Sequence, residues 1–316
     1  MPNLRVLKWR SQTRRFLSIK FIQRFLSPSL ITLNITLSDA DDARLQSFLA
    51  SYPSLCPDLK SIVINIAGRR EVSSTTIGTL SRAIPHHVHL ESLNVSVPIN
   101  DVALTHIAMS PTFKRLALVL HPGMSDLHKV SDVTPFRNVE ELSLEVWDLD
   151  FVTTLLRTQD QMFRSFVLRY CSPPTTDATF TFFTALASRQ RTRSLRSISL
   201  MPIMSDRIDV KGFHSAPGGF DDDDLVSLTR NWPLLQVLHL NRRQHVQGRP
   251  WRLVKYVTFK GLSSLLECCP DLHNFCLPLD AREVLANTGK IIGNTAVTYI
   301  HSPNTPTVIL VCWKIS

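Results

Sequence analysis

No apolar run in this chain approaches the roughly 20 residues that a membrane-spanning helix requires, and the longest, Val308 to Trp313, is far too short. Glycine is scarce, 10 in 316 residues, and none falls in a phosphate-binding arrangement. There is no GxxxxGKS, GxGxxG or GxSxG pattern, and the pair Gly218-Gly219 stands alone, so no nucleotide loop or nucleophile elbow is expected. The 6 cysteines include no CxxC pair and follow no regular spacing. That spacing describes no disulfide framework, and free thiols in a reducing compartment, cytoplasmic or nuclear, are expected. No secretory signal is visible at the N-terminus. Acidic residues are missing altogether from residues 1–38, which carry Arg5, Lys8, Arg10, Arg14, Arg15, Lys20 and Arg24. A basic start without acids also fits a mitochondrial transit peptide, although Pro2, Leu4, Leu7 and Trp9 already match the repeat described next.

What the chain does hold is a degenerate phrase, leucine-x-x-leucine-x-leucine, from one end to the other. It reads Leu4/Leu7/Trp9, Leu30/Leu33/Ile35, Leu59/Ile62/Ile64, Leu90/Leu93/Val95, Phe113/Leu116/Leu118, Val139/Leu142/Leu144, Phe163/Phe166/Leu168, Leu195/Ile198/Leu200, Leu235/Leu238/Leu240 and Leu272/Phe275/Leu277. Steps of 23 to 40 residues between copies are the period of a solenoid. Alternation in a strand sends Leu142 and Leu144 to one face and Glu141, Ser143 and Glu145 to the other. The intervals show helical spacing, as in Leu45/Phe48/Leu49, Ile77/Leu80/Ile84, Val102/Ile107/Met109 and Val152/Leu155/Leu156. Each copy is therefore one strand and one helix, unable to cover its apolar face until its neighbours stack on it. Pro2, Pro28, Pro57, Pro233 and Pro270 stand two residues ahead of a phrase, where proline ends a helix. Asp42, Asp150 and the run Asp221 to Asp224 mark helix starts.

The expected fold is α/β: a leucine-rich-repeat solenoid of about ten irregular repeats, with a parallel sheet on the concave face of a horseshoe and helices on its convex face. One domain spans 1–316, with repeats clearest over 2–287 and a degenerate or truncated end at 288–316. Val308 to Trp313 would be an exposed apolar strand unless it pairs as an edge.

Constellations that could carry chemistry are weak. His86, His87 and His89 lack a partner set of cysteines or carboxylates for a metal. Cys268, Cys269 and Cys276 read as free thiols, the last on the outward face of its strand. Asp221 to Asp224 lack the alternating ligands and terminal glutamate of a calcium loop, so capping explains them better. Asn34-Ile-Thr36 and Asn94-Val-Ser96 match the glycosylation pattern but lie within expected strands. No catalytic residue, cofactor site or metal site is expected, and the chain reads as no enzyme. Arg242, Arg243, Arg249, Arg252 and Lys255 surround Trp251 in the longest interval. A nucleic-acid-binding solenoid using this basic loop, 242–255, is the alternative reading, against a solvated surface loop.

The remaining feature is the outward face of the sheet, where charge concentrates around Arg115, Glu141, Glu145 and Arg169, with Ser143, His239 and Asn241 beside it. Solenoids hold partners on such a face, so these seven residues are the expected contacts for a protein partner. The phrase, its spacing, and the junction cysteine-proline-aspartate-leucine at Cys56 to Leu59 and again at Cys269 to Leu272 resemble the irregular leucine-rich repeats of fungal F-box proteins. The resemblance implies a substrate receptor of a cullin-RING ubiquitin ligase, its repeats holding the target and its F-box docking the adaptor. Here the repeats begin at Leu4 and no F-box precedes them, so any ligase association would be indirect, or the product a non-functional truncated fragment. The regular asparagine or cysteine after the phrase is mostly replaced, by Ser38, Ala67, Pro98, His121 and Trp147, with Cys171 the one match.

The repeat register is directly testable: Leu142→Ala is expected to cost about 2 to 5 kcal/mol by opening a cavity, and an unchanged thermal midpoint would reject the register.

Overall fold

A strand that alternates apolar and polar side chains needs cover on one face only, and along most of this chain strands alternate with helices. The structure is a computed structural model describing residues 3–10, 18–37, 42–66, 72–121, 135–147, 149–158, 163–170, 176–188, 194–202, 221–240, 257–280, 297–301 and 308–314. The fold is α/β, and the chain divides into two compact units, Met1–Glu145 with Thr158–Gln161 and Val146–Arg157 with Met162–Ser316.

The first unit carries β1 (Val6–Arg10), α1 (Ser18–Gln23), β2 (Thr32–Leu37), α2 (Asp42–Leu55), β3 (Ser61–Ile66), α3 (Ser74–Ala83), β4 (Ser92–Ile99), α4 (Asp101–Met109), β5 (Arg115–Leu120) and β6 (Glu141–Val146). Its six strands pair in sequence order, all parallel. The second unit carries α5 (Asp150–Thr158), β7 (Ser165–Tyr170), α6 (Thr176–Ser188), β8 (Ser197–Pro202), α7 (Asp222–Thr229), β9 (Val237–Leu240), α8 (Phe259–Cys268), β10 (Asn274–Asp280), β11 (Val297–His301) and β12 (Val308–Lys314). Strands β7 to β10 are again parallel and sequential. Strand β12 then runs antiparallel beside β10, and β11 lies outside it. Val308 to Trp313 is thus paired on both sides and is no edge.

In nine of the ten phrases all three positions are buried, from Leu30/Leu33/Ile35 to Leu272/Phe275/Leu277. Only the first differs, with Leu4 and Trp9 half-buried. The helical spacing held for Leu45, Phe48, Leu49, Ile77, Leu80 and Ile84. In α4 it did not: Val102 and Met109 are exposed, and Ala103, Leu104, Ile107 and Ala108 fill the core instead. The small alanines let that short helix turn a different stripe inward.

Repeats are fastened by a recurring bifurcated bond. The carbonyl just ahead of each strand accepts from two successive N–H groups of the next repeat: Arg5 from Ile31 and Thr32, Ile31 from Lys60 and Ser61, Lys60 from Glu91 and Ser92, Glu91 from Lys114 and Arg115, and Lys114 from Glu140 and Glu141, all at 2.8–3.2 Å. The second unit repeats it at Arg164, Arg196 and Gln236. Ahead of the phrase sits a four-residue turn, closed by Leu30 N to Ser27 O, Leu90 N to His87 O, Leu235 N to Trp232 O and Leu272 N to Cys269 O at 3.0–3.2 Å. Pro28, Pro57, Pro111, Pro233 and Pro270 take the second place of these turns, where a fixed φ is an asset. Strand β4 tolerates Pro98 because its register with β5 shifts between Asn94 and Pro98, while the hydroxyl of Ser96 accepts the Ile66 N–H at 2.7 Å.

Helices are joined by carboxylates. Asp42, first residue of α2, accepts at 2.6 Å from the Thr76 hydroxyl and at 3.0 Å from Gln46, which also donates to Ser73, the N-cap of α3. Asp222, in the first turn of α7, accepts from the backbone N–H of Thr258 at 2.7 Å and from its hydroxyl at 2.6 Å, and Thr258 caps α8. One helix start thus holds the next, supplying acceptors where helix-start donors would otherwise lack partners. Gly261 leaves room for this: a Cβ there would run into the Asp222 carboxylate.

Helix propensity alone makes Gly261→Ala stabilising by about 1 kcal/mol. We expect the opposite sign, a loss of about 1 to 2 kcal/mol, because Asp222 must swing off Thr258. Urea unfolding should show the substitution becoming stabilising in an Asp222→Ala background.

Candidate partner-binding face

In the first unit the register lines the outward side chains into three rows. One holds Val6, Thr32, Ser61, Ser92, Arg115 and Glu141; the next Lys8, Asn34, Val63, Asn94, Ala117 and Ser143. The third runs from Arg10 through Thr36 and Asn65 and reappears at Val119 and Glu145. The middle of the face is small and uncharged. Cations gather on β1 and anions on β6, so the face is polarised along its length.

Arg115 and Glu141 are exposed and stand directly opposite each other on β5 and β6, yet no ion pair joins them. The cations nearest in sequence are engaged elsewhere. Lys114 Nζ lies 2.8 Å from Glu91 Oε2, and Lys60 Nζ lies 3.8 Å from Glu91 Oε1, a row running along the residues that precede the strands. The hydrogen bond from Lys114 holds the Glu91 carboxyl below its usual pKa. Ser143 and Glu145 are half-buried on β6. These four residues, Arg115, Glu141, Ser143 and Glu145, form one surface on two adjacent strands.

The other three expected contacts fare differently. Arg169 is exposed on β7, in the second unit, opposite Met201. His239, expected on an open face, is instead buried: its Nε2 lies 3.0 Å from Asn274 Oδ1, and its neighbours in register are Ser199, itself buried, and Cys276. Cys276, expected as a free outward thiol, is 1% exposed and disulfide-bonded, and Cys312 of β12 stands opposite it in register. Neighbours along this part of the sheet consume one another, which closes it to an open contact. Asn241 and the basic loop 242–255 lie outside the described residues, so no observation here favours the nucleic-acid reading.

The junction motif has a structural account that sequence spacing did not disclose. Cys56, His87, Phe136, Trp232 and Cys269 occupy one position, three residues before the phrase, and all are buried. From there each Cys or His reaches the preceding turn: Cys56 bonds with the backbone of Ser27, His87 nears the Pro57 carbonyl, and the Cys269 thiol donates to Trp232 O at 3.4 Å. Burial pushes the thiol of Cys56 up to about 11 and that of Cys269 to about 12, so neither is poised as a nucleophile. His87 stacks on Tyr52 at 5.2 Å while His86 and His89 lie outside the core. Among the described residues no group of three His, Cys, Asp or Glu side chains could hold a metal ion. The run Asp221 to Asp224 forms a capping box, Asp224 N to Asp221 Oδ1 at 2.9 Å with the return bond at 3.4 Å. Among the described residues no helix is long and apolar enough to cross a membrane. A scan against protein-family models finds no matching family, and a search of curated proteins finds no match.

His87 gives a pH prediction. Burial lowers its pKa from 6.5 to about 4, and neither ring nitrogen has a hydrogen bond of good geometry. Between those values the unfolded chain binds a proton that the folded chain refuses, so stability falls as pH drops, by about 3 kcal/mol in total. His87→Phe, matching the residue used at Phe136, should flatten that slope in urea midpoints measured at pH 7.5 and pH 5.

Proposed function

We propose that this chain is a non-enzymatic protein-recognition module: leucine-rich repeats, in horseshoe form, of the kind that serve F-box receptors as substrate-binding surface. The observation that carries the reading is the pair Arg115 and Glu141, opposite each other on adjacent strands, both exposed and with no ion pair between them. Opposite charges placed directly across two strands gain from pairing. A pair held apart on rigid paired strands keeps both charges available to another molecule, and rigidity lowers the ordering cost of binding. The rows of serine, threonine, asparagine and alanine beside it give a partner close approach to the sheet. In this reading Glu141 and Glu145 supply the anionic half of the contact and Arg115 the cationic half. Linkage to a cullin-RING ligase rests on the resemblance of the Cys56 and Cys269 junctions alone.

The test is affinity purification followed by mass spectrometry, comparing the native chain with Glu141→Lys combined with Glu145→Lys. The double variant should keep its thermal midpoint and lose its reproducible partner; retention of that partner at native abundance would remove the face from consideration. Co-purification of ligase adaptor and cullin would extend the reading to ubiquitin transfer.

A further inference from the structure

Strand β1 ends the first unit with one side unpaired: β2 is its one partner among the described strands. The Arg5 carbonyl points to β2, where it accepts from Ile31 and Thr32. By the alternation of a parallel ladder, the N–H and C=O groups of Val6, Lys8 and Arg10 therefore point to the open side. The side chains of this edge are of two kinds. Lys8 and Arg10 are exposed on the outward face at every second position, with Arg5 beside them. On the other face the core is left open. Trp9 packs against Phe21 at a tilt with ring centroids 5.6 Å apart, Phe21 meets Phe25 edge-on at 5.1 Å, and Phe21 remains 45% exposed. The indole N–H of Trp9 is buried without a hydrogen-bond partner. In the second unit the corresponding problem is solved within the chain, because β12 and β11 cover β10.

Lysine on an edge is a known guard against casual strand pairing. A guard alone leaves the exposed aromatic group unexplained, and Val6 adds a 50% exposed apolar side chain on the outward face. The two features together describe a receptor for one chemistry. Residues 1–38 hold no acid, so nothing local neutralises Arg5, Lys8, Arg10, Lys20 and Arg24. A strand added to β1 would carry its own side chains alternately to the two faces. Acidic ones would meet Lys8 and Arg10 across the strand pair, and apolar ones would lie over Trp9 and Phe21.

We propose that the open edge of β1 binds an extended segment of another protein that alternates acidic with apolar residues, adding it to the sheet as a further strand. This site is separate from the face around Glu141.

The probe is a fluorescein-labelled peptide of about seven residues alternating glutamate with phenylalanine and valine, titrated against the full chain by fluorescence anisotropy. Saturable binding is expected, weakened at least tenfold by Lys8→Glu with Arg10→Glu, whose thermal midpoint should match the native chain. N-methylation of alternate peptide amides should abolish it, since strand addition needs those N–H groups. Glu141→Lys with Glu145→Lys should leave it within twofold, so that this site and the outward-face reading fail separately. Equal binding of a peptide with lysine in place of glutamate, indifference to N-methylation, or no binding at all would overturn the proposal. So would a concentration-dependent dimer abolished by Lys8→Glu with Arg10→Glu, which would assign the edge to a second copy of this chain.

Discussion

One carbonyl per repeat, accepting two successive amide protons from the next, is the fastening on which the rest depends. It stands at the residue before each strand, at Arg5, Ile31, Lys60, Glu91 and Lys114 in the first unit and at Arg164, Arg196 and Gln236 in the second. A bifurcated acceptor at a fixed place starts each strand in step with its neighbour. A slip of one residue would turn every core side chain outward. Held in step, the outward positions fall into rows, and this is why Arg115 faces Glu141 and Ala117 faces Ser143. These rows of outward side chains are a by-product of a backbone constraint that uses no side chain at all.

Side chains enter where the helices begin. Four N–H groups at each helix start lack partners within the helix, and this chain meets part of that demand across repeats. Asp42 reaches the cap of α3 and Asp222 the cap of α8. Between them Asn100, the cap of α4, has its own N–H accepted by Ser81 of α3 at 3.0 Å. Burial alone would raise the pKa of Asp42, yet the bonds from Ser73, Thr76 and Gln46 outweigh it and keep the carboxyl ionised. The relay uses different residues each time, so it leaves no repeating letter in the sequence.

Much of the architecture was legible for a physical reason: the three phrase positions carry most of the burial, and burial selects for aliphatic residues wherever the strand lies. Leu33, Ile62, Leu93 and Phe166 could be placed inward by alternation alone. Pro57 and Pro270 were visible, but their role in a four-residue turn was not, because spacing to the next leucine does not distinguish a helix stop from a turn. Short helices were the weak point. In α4 the exposed Val102 and Met109 look as apolar as the buried Leu104 and Ile107, and only packing chooses between them. The candidate face was half legible. Alternation put Glu141 and His239 on the outward side, and nothing local could foresee that His239 would be closed off by Asn274 and by a disulfide at Cys276.

The end of the second unit carries a consequence for how the chain is made. Strand β12 lies between β10 and β11, although it is synthesised after both. Until its residues leave the ribosome, β10 presents an open parallel edge and β11 has no neighbour to join. The closing seven-residue strand is thus the keystone of that sheet margin, and a stop codon shortly before Val308 would strand two elements instead of trimming a tail. Loss of β12 alone would therefore bare the margin of β10 that it covers and leave β11 without its partner.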